Sequence, residues 1–515
     1  MKRFLCILLT MVLAFSCFAV AASAEDEKTL IVSLKGDPMT FNPVLKGDDY
    51  GHYIYQNVFD GLLELNYNSE VIPGLARTWD VSEDGLTYTF HLATGVKWHD
   101  GVDFSSEDVK FTYEKIMAEN GFIASTLNAD IASIECPDKD TVVLNLKQAD
   151  ATLLGTLAWY EHYIIPKHIY ENVEDWSTCE AATSMPIGTG PYKFVSYQSG
   201  VSVVLEKNED YFQGAPKIDK LVFQIITDDT TAVQAFYNGE IDVLDGVPTS
   251  EVLNMQNNPE IKLGCVSAAR RFQMICNMKD ETMSKWEVRK AVALSIDREE
   301  ISKKATNGLQ APAYGFYPPF LDWAYNADAD IGARDVNKAM ELLEQAGYTK
   351  DADGYYLTLT LDVFSGGTYA DCGKVIQANL KEAGINLQLN VMEMAAWAEK
   401  ISAGNYQLGI MAGYQGPDPD AMAKRIGTGA VMNYSQYSNE KVDELLAQAR
   451  TLTTHEERGA CYKEVQAILA EDLPIIPIVE FASYKACWSN IYGNPYIDGI
   501  TDIHDNSYMK ADILE

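Results

Sequence analysis

The feature that most constrains the fold is a set of short runs in which apolar and polar residues alternate. In the clearest run, Leu86–Leu92, apolar side chains occupy every second position, which is the period of a half-buried strand. Asp84 and Gly85 come just before it and supply a turn that tolerates positive φ angles, so the sequence predicts a hairpin here. The same alternation recurs at Val142–Leu146, Val201–Leu205, Leu221–Ile225 and Leu357–Val363.

Helical patterns lie between these strands. The capping pattern that begins at Ser284 predicts one helix. A second helix is predicted from Asp335, as its N-cap, to Gly347, which ends it. Two more are predicted at 442–450 and 456–471. Because strands and helices alternate without any sequence repeat, we expect a mixed α/β architecture.

Length and charge limit the remaining choices. A chain of 515 residues is too long for one compact core, so two or three domains are expected. Its 74 acidic and 40 basic residues give a formal charge of −34. Such a surface repels phosphate backbones and anionic lipid headgroups, which argues against nucleic-acid binding.

The N-terminus has the parts of a secretory signal peptide. Lys2 and Arg3 precede the apolar stretch 4–15, and small residues at 22–24 supply a cleavage site. We therefore expect a protein that acts outside the cytoplasm, in the periplasm or on the outer face of the cell membrane. Cleavage before Cys17 would instead leave a lipid anchor, but the residues that precede it fit that signal poorly, so the sequence favours free secretion.

Seven cysteines follow the predicted signal peptide, and none forms a Cys-x-x-Cys pair. Because their number is odd, at least one thiol is free or pairs between chains. We expect mainly buried thiols and leave one or two disulfides open. The seven are Cys136, Cys179, Cys265, Cys276, Cys372, Cys461 and Cys487.

Catalytic and metal motifs are missing from the sequence. It contains no His-Glu-x-x-His helix, no Gly-x-Ser-x-Gly elbow and no Walker loop. The acidic stretch 326–332 departs from a calcium loop, because Asn337 stands where a bidentate glutamate is required. We expect no metal, no cofactor and no catalysis, with a secreted hydrolase on an unfamiliar scaffold as the alternative.

Three consecutive segments resemble a family signature: GLARTW at 74–79, SEDGLTYTFHL at 82–92 and GVKWHDG at 95–101. The similarity continues through 104–114, and four further segments match in the same order, at 37–43, 187–192, 288–298 and 456–477. Together they resemble the peptide/nickel class of extracytoplasmic solute-binding proteins (solute-binding family 5). These proteins serve ABC importers, and dipeptide- and oligopeptide-binding proteins are its best-known members.

The resemblance implies a two-lobed, periplasmic-binding-protein-like α/β fold with a hinge and three domains. The first lobe would combine residues 25–68, 187–283 and 489–515 and carry an inserted domain at 69–186, while 284–488 would form the second lobe. We expect a monomer that traps a solute by hinge closure and delivers it to a membrane permease. A peptide is the favoured cargo, and a nickel chelate, a sugar oligomer or another small solute is the alternative.

The resemblance also implies where a peptide ammonium would bind. In peptide-binding members an aspartate in a second-lobe loop supplies the negative charge, and the comparable loop here is 412–420. It is short where that aspartate normally stands, and Tyr414 replaces the usual tryptophan. Asp418 is our candidate for the role, against the alternative that it only caps a turn.

Four further residues are candidate ligand contacts. Trp397 matches a family aromatic near the cleft, with burial against its helix as the alternative, and Tyr414 is a second aromatic candidate. Arg270 and Arg271 precede a predicted strand, and either could bind a ligand carboxylate through two hydrogen bonds. Their alternative is an ordinary solvated arginine.

Overall fold

The computed structural model describes residues 27–45, 49–121, 123–159, 162–266, 270–319, 321–365, 368–414, 416, 418–499 and 507–514. The predicted signal peptide and Cys17 lie outside the described residues, as do the side chains of Arg270 and Tyr414. No helix in the described part of the chain has the length and hydropathy needed to cross a membrane.

The largest sheet has seven strands and mixes parallel with antiparallel pairing. Its inner strand Thr29–Leu34 runs parallel to both of its neighbours. In spatial order the strands are Ile261–Val266, Ser483–Trp488, Val243–Asp245, Thr29–Leu34, Lys220–Ile225, Ser202–Lys207 and Tyr192–Gln198. Three helices share its apolar clusters: Asp49–Val58, Asp229–Tyr237 and Thr249–Gln256. Near the C-terminus the strands Ile491–Tyr492 and Asp512–Ile513 form a two-stranded sheet, and the short helix Pro495–Asp498 lies between them in sequence.

A separate four-stranded antiparallel sheet has its own core. The predicted hairpin is confirmed, because Gly85 takes a φ of 68° between paired strands. Tyr88, Phe90 and Trp98 are buried in this core. In spatial order the strands are Ala76–Val81, Thr87–Leu92, Thr141–Leu146 and Ile131–Asp138, and Leu63–Leu65 pairs with Val71–Pro73 nearby. The accompanying helices are Ser106–Ala118, Ala124–Asp130, Leu153–Leu157, Lys167–Tyr170 and Glu180–Thr183.

The third sheet has five strands and supports the second lobe. In spatial order they are Ile385–Met392, Leu357–Phe364, Leu408–Tyr414, Arg270–Cys276 and Ile475–Glu480. Seven helices bury residues in the same apolar cluster: Trp286–Ser295, Arg298–Ala305, Val336–Gln345, Tyr369–Glu382, Met394–Ser402, Glu440–Thr451 and His455–Asp472. A 3-10 turn, Pro419–Met422, leads into the short helix Ala423–Ile426. These layers confirm the mixed α/β, two-lobed architecture expected from the sequence.

The chain changes between the two large sheets twice. It leaves the seven-stranded sheet after Val266 and enters the five-stranded one at Arg270, and it returns after Glu480 to the strand that begins at Ser483. Distant strand partners rather than local turns determine which sheet each of these strands joins. The lobe and domain bounds expected from the sequence, with changes after residues 283 and 488, stay a prediction.

The structure confirms one predicted helix cap and contradicts another. Asp335 caps its helix as expected, accepting a 2.9 Å hydrogen bond from the Lys338 amide. The capping box at Ser284 is wrong: Lys285 is the N-cap, and the Ser284 hydroxyl donates instead to the Glu281 carbonyl. All seven cysteines expected in the mature chain lie among the described residues, and each is a free thiol.

Candidate ligand site between the lobes

One face of the strand Arg270–Cys276 brings polar side chains into the interior. Arg271 and Gln273 are each 1% exposed. Arg271 Nη2 lies 3.2 Å from Glu480 Oε1, and Nη1 donates to the Gly315 carbonyl. Among the described residues, Arg271 Nε and Gln273 Oε1 have no hydrogen-bond partner. Within the described residues, this face therefore offers an unused donor and an unused acceptor in the N-terminal half of the strand.

The guanidinium of Arg271 is buried, which is an unfavourable environment for its positive charge. Burial lowers the pKa of its guanidinium, and the Glu480 carboxylate opposes that effect. Burial likewise raises the pKa of Glu480, which Arg271 partly offsets. A buried guanidinium with spare donors is best satisfied by an anion, and binding of a ligand carboxylate by Arg271 stays a prediction.

Asp418 is engaged inside its own lobe. Its Oδ1 accepts a 2.9 Å hydrogen bond from the Asp420 amide and so caps the 3-10 turn Pro419–Met422. The same oxygen lies 2.7 Å from Arg458 Nη2. These contacts match the alternative of a turn-capping aspartate, and an additional contact with ligand stays a prediction.

Beside this loop, two polar groups are buried without partners among the described residues: the Tyr317 hydroxyl and Asp420 Oδ1. Burial raises the pKa of Asp420 to about 7; Arg450 opposes the rise, whereas the neighbouring charge of Asp418 adds to it. Burial also raises the pKa of Tyr317, with smaller contributions from the nearby acidic groups. The Tyr317 hydroxyl and the Asp420 carboxyl group therefore have the capacity to form hydrogen bonds with a ligand.

Contacts from residues 130–151, a segment distant in sequence, complete this region. Arg450 Nη2 donates a 2.6 Å hydrogen bond to Asp150 and lies 3.5 Å from Asp130. The Ala151 amide donates to the Arg450 carbonyl at 2.9 Å. Arg450 and Asp150 could not be recognised as partners in the sequence, because no local pattern links positions separated by 300 residues.

Trp397 lies in the core of the second lobe rather than on an open surface. It is 7% exposed, and its Nε1 donates a 3.2 Å hydrogen bond to the Asp362 carbonyl. Its ring packs against Phe364 at 5.6 Å with an interplanar angle of 66°. These contacts match the burial alternative, and a role in walling the ligand stays a prediction. The other candidates, Arg270 and Tyr414, pair through their backbones across neighbouring strands.

Two lobes with buried polar groups near their junction, unpartnered as far as the described residues go, are the arrangement expected of a binding protein. Residues 70–434 match the model of the bacterial extracellular solute-binding proteins, family 5 Middle. The chain belongs to this family, as its sequence signature indicated. The family consists of substrate-binding proteins of transporters.

Relatives match over nearly the whole chain. The dipeptide-binding protein of Escherichia coli (strain K12) is 27% identical over 508 residues, which cover 93% of this chain and 94% of that protein. The periplasmic binding protein DppA from Helicobacter pylori, solved with the peptide STSA, has a TM-score of 0.81 at 26% identity and covers 95% and 98% of the two chains. NikZ from Campylobacter jejuni, solved with Ni(L-His), has a TM-score of 0.80 at 26% identity and covers 93% and 99%.

Proposed function

We propose that this protein captures peptides outside the cytoplasm and delivers them to an ABC-importer permease. The observation that carries the proposal is a set of buried polar atoms near the lobe junction that have no partner within the described ranges of the chain. Within those ranges Arg271 Nε is an unused cationic donor, whereas Gln273 Oε1 and Asp420 Oδ1 are unused acceptors. A peptide has both kinds of group, since its termini carry opposite charges and its backbone alternates donors with acceptors.

Each terminus has a candidate partner. Arg271 fits a ligand carboxylate because its guanidinium is buried and only partly satisfied. Asp420 fits an ammonium better than Asp418 does, because the Asp418 carboxylate already binds Arg458 and its own turn. Asp418 would contribute by charge, or by sharing its second oxygen with the ligand. Peptides bound by the relatives from E. coli and H. pylori agree with this cargo.

The domain arrangement follows from the same proposal. We place the first lobe on the seven-stranded sheet, with residues 69–186 inserted in it, and the second lobe on the five-stranded sheet. The hinge would then lie where the chain changes between these two sheets. Ligand contacts made to both lobes would favour the closed form, which the permease recognises. The signal-peptide pattern supports export, and we propose that the exported protein is a monomeric binder without enzymatic activity.

The proposal is tested by native mass spectrometry of the mature protein with a mixed library of short peptides. We expect a bound peptide mass that is lost when the library is amidated at its C-termini, because amidation removes the carboxylate that Arg271 would bind. Arg271→Met should weaken the binding of free-acid peptides without strengthening the binding of amidated ones. A protein that binds neither library contradicts the peptide assignment.

Ni(L-His) and mixed sugar oligomers test the alternative cargo, which the NikZ relative motivates. A ligand bound by the folded state alone raises the melting temperature, so a thermal-shift panel compares all three classes. A shift with Ni(L-His) or sugars and none with peptides would assign the site to that other solute. The family match leaves the hydrolase alternative without support.

A further inference from the structure

We propose that Arg450 is a closure latch between the second lobe and the inserted domain, and that in the ligand-free protein the latch takes up a proton when the lobes close. The proposal rests on the proposed function only in assuming that the lobes move about a hinge. It concerns residues that the family signature did not single out.

The latch consists of contacts that cross between the lobes. Arg450 lies on the helix Glu440–Thr451, and its backbone carbonyl accepts the hydrogen bond from Ala151. Its guanidinium contacts Asp150 and Asp130, whose side chains are each 1% exposed. A contact of this kind, between the helix Glu440–Thr451 and residues outside the second lobe, cannot survive a rotation that opens the lobes, because a separation of a few ångströms breaks every hydrogen bond in it.

The charges in the latch do not balance. Four carboxylates meet two guanidinium groups in this region, and one of those, Arg458, is occupied by Asp418. Arg450 is therefore the nearby cation for three carboxylates, those of Asp150 at 2.6 Å, Asp130 at 3.5 Å and Asp420 at 3.8 Å. Asp130 Oδ1 and Asp420 Oδ1 are buried without a partner among the described residues. A buried carboxylate without a cation is costly, and protonation removes that cost.

The other titratable groups around Asp420 do not supply the missing positive charge. The hydroxyls of Tyr317 and Tyr462 face it, and both stay neutral because burial raises their pKa values. Lys147 lowers the pKa of Asp130 less than Arg450 does, so it does not make up the deficit. The closed cluster is therefore short of positive charge, and a proton is the simplest way to neutralise it.

Asp420 is the group whose proton reports closure. It belongs to the second lobe, as Arg450 does, so opening leaves this pair together and removes Asp150. Opening also exposes the carboxyl group to water. Both changes lower the pKa of Asp420 from about 7 toward its ordinary value of 3.8. Between these values the closed form binds more protons than the open form, so closure is favoured as pH falls and weakened as pH rises through 7.

Hydrogen exchange of the Ala151 amide measures the latch directly, because this amide donates across the lobes to Arg450. We would follow exchange in the ligand-free mature protein at pH 6 and pH 8, corrected for the intrinsic rates. For one proton coupled to closure, protection should be about tenfold greater at pH 6 than at pH 8. No protection at either pH would overturn the latch.

Three variants separate the parts of the proposal. Arg450→Gln should lose protection at both pH values, and Asp420→Asn should keep protection while losing its pH dependence. Lys441→Gln, on an exposed ion pair of the same helix, should behave like the wild type. Unchanged protection in Arg450→Gln would overturn the latch, and unchanged pH dependence in Asp420→Asn would overturn the proton coupling. Because no ligand is present, these outcomes are independent of the peptide-binding test.

Discussion

Asp418 Oδ1 lies 2.7 Å from Nη2 of Arg458, a side chain that is only 4% exposed. Arg458 also donates to the Ala449 carbonyl and to the Tyr462 hydroxyl. The carboxylate that the sequence offered as the ligand's partner is thus needed to neutralise a buried cation of its own lobe. Its loss should therefore affect folding before it affects binding.

Asp418→Ala should lower the free energy of unfolding by about 3 kcal/mol, because it leaves Arg458 buried without its counterion. Urea unfolding measures the loss. Asp371→Ala, which breaks an exposed pair with Lys374, is the matched control and should cost less than about 1 kcal/mol. Equal costs for the two variants would show that the Asp418 pair is not important for stability.

A ligand role for Asp418 needs a separate measurement. Asp418→Asn keeps an oxygen for capping the turn while removing the negative charge. If the peptide ammonium depends on this charge, peptide affinity should fall at least tenfold in a variant that remains folded. Unchanged affinity would exclude Asp418 from the binding site.

Substitutions of Trp397 should report a core position. Trp397→Phe removes the hydrogen bond to the Asp362 carbonyl and should cost about 1 kcal/mol of stability, whereas Trp397→Ala should cost about 4 kcal/mol because it also leaves a cavity. Met394→Ala on the same helix is the control, since Met394 is 52% exposed. Differential scanning calorimetry distinguishes the three. A Trp397→Phe variant that is stable but fails to bind peptides would instead support the ligand-wall prediction.

Gly188 stands where no side chain fits. A Cβ atom there would lie 1.8 Å from the Val58 carbonyl oxygen, a backbone atom that cannot move aside alone. Gly188→Ala should therefore lower stability by several kcal/mol, on the order of a large core substitution. Soluble yield and the urea midpoint measure the effect against Ser184→Ala, a nearby exposed change. A wild-type midpoint for Gly188→Ala would show that this loop can shift freely.

Asp60 should make stability depend on pH. Burial raises its pKa to about 6 from an ordinary 3.8, although Thr189 and Tyr211 donate hydrogen bonds to it. The folded state then binds more protons than the unfolded state across this window, so Asp60 makes folding less favourable as pH rises from about 4 to about 6.

Asp60→Asn should remove that dependence. Relative to the wild type, its free energy of unfolding should rise by about 3 kcal/mol over the same window and then stay level. Denaturant unfolding at a series of pH values measures the difference, with Asp371→Asn as the control for net charge. A difference that is constant with pH would contradict the assigned pKa.

Local patterns were enough to predict several elements of the fold. The Asp84-Gly85 turn and the Asp335 cap depend on residues a few positions apart, and both form as predicted. The prediction at Ser284 failed because Asp280 holds the amides of the preceding turn, which moves the helix start to Lys285. Competition between nearby capping groups is decided by tertiary packing that a single sequence does not display.

The site was harder to predict for a different reason. Arg271 was named from its position before a strand, but its burial follows from packing against Gly315 and Glu480 in distant segments. Arg450 carries no motif at all, and its partners lie in the inserted domain. Long-range ion pairs of this kind are determined by how the lobes meet, which periodicity and spacing cannot specify.

The strand Ser483–Trp488 lies between Val243–Asp245 and Ile261–Val266 in the seven-stranded sheet. During synthesis, these two neighbours emerge long before the strand that separates them. The seven-stranded sheet therefore cannot be completed until almost the whole polypeptide has been made. Truncation shortly before residue 483 should leave this sheet without an inner strand, whereas the five-stranded sheet, whose last strand is Ile475–Glu480, would keep every one of its strands.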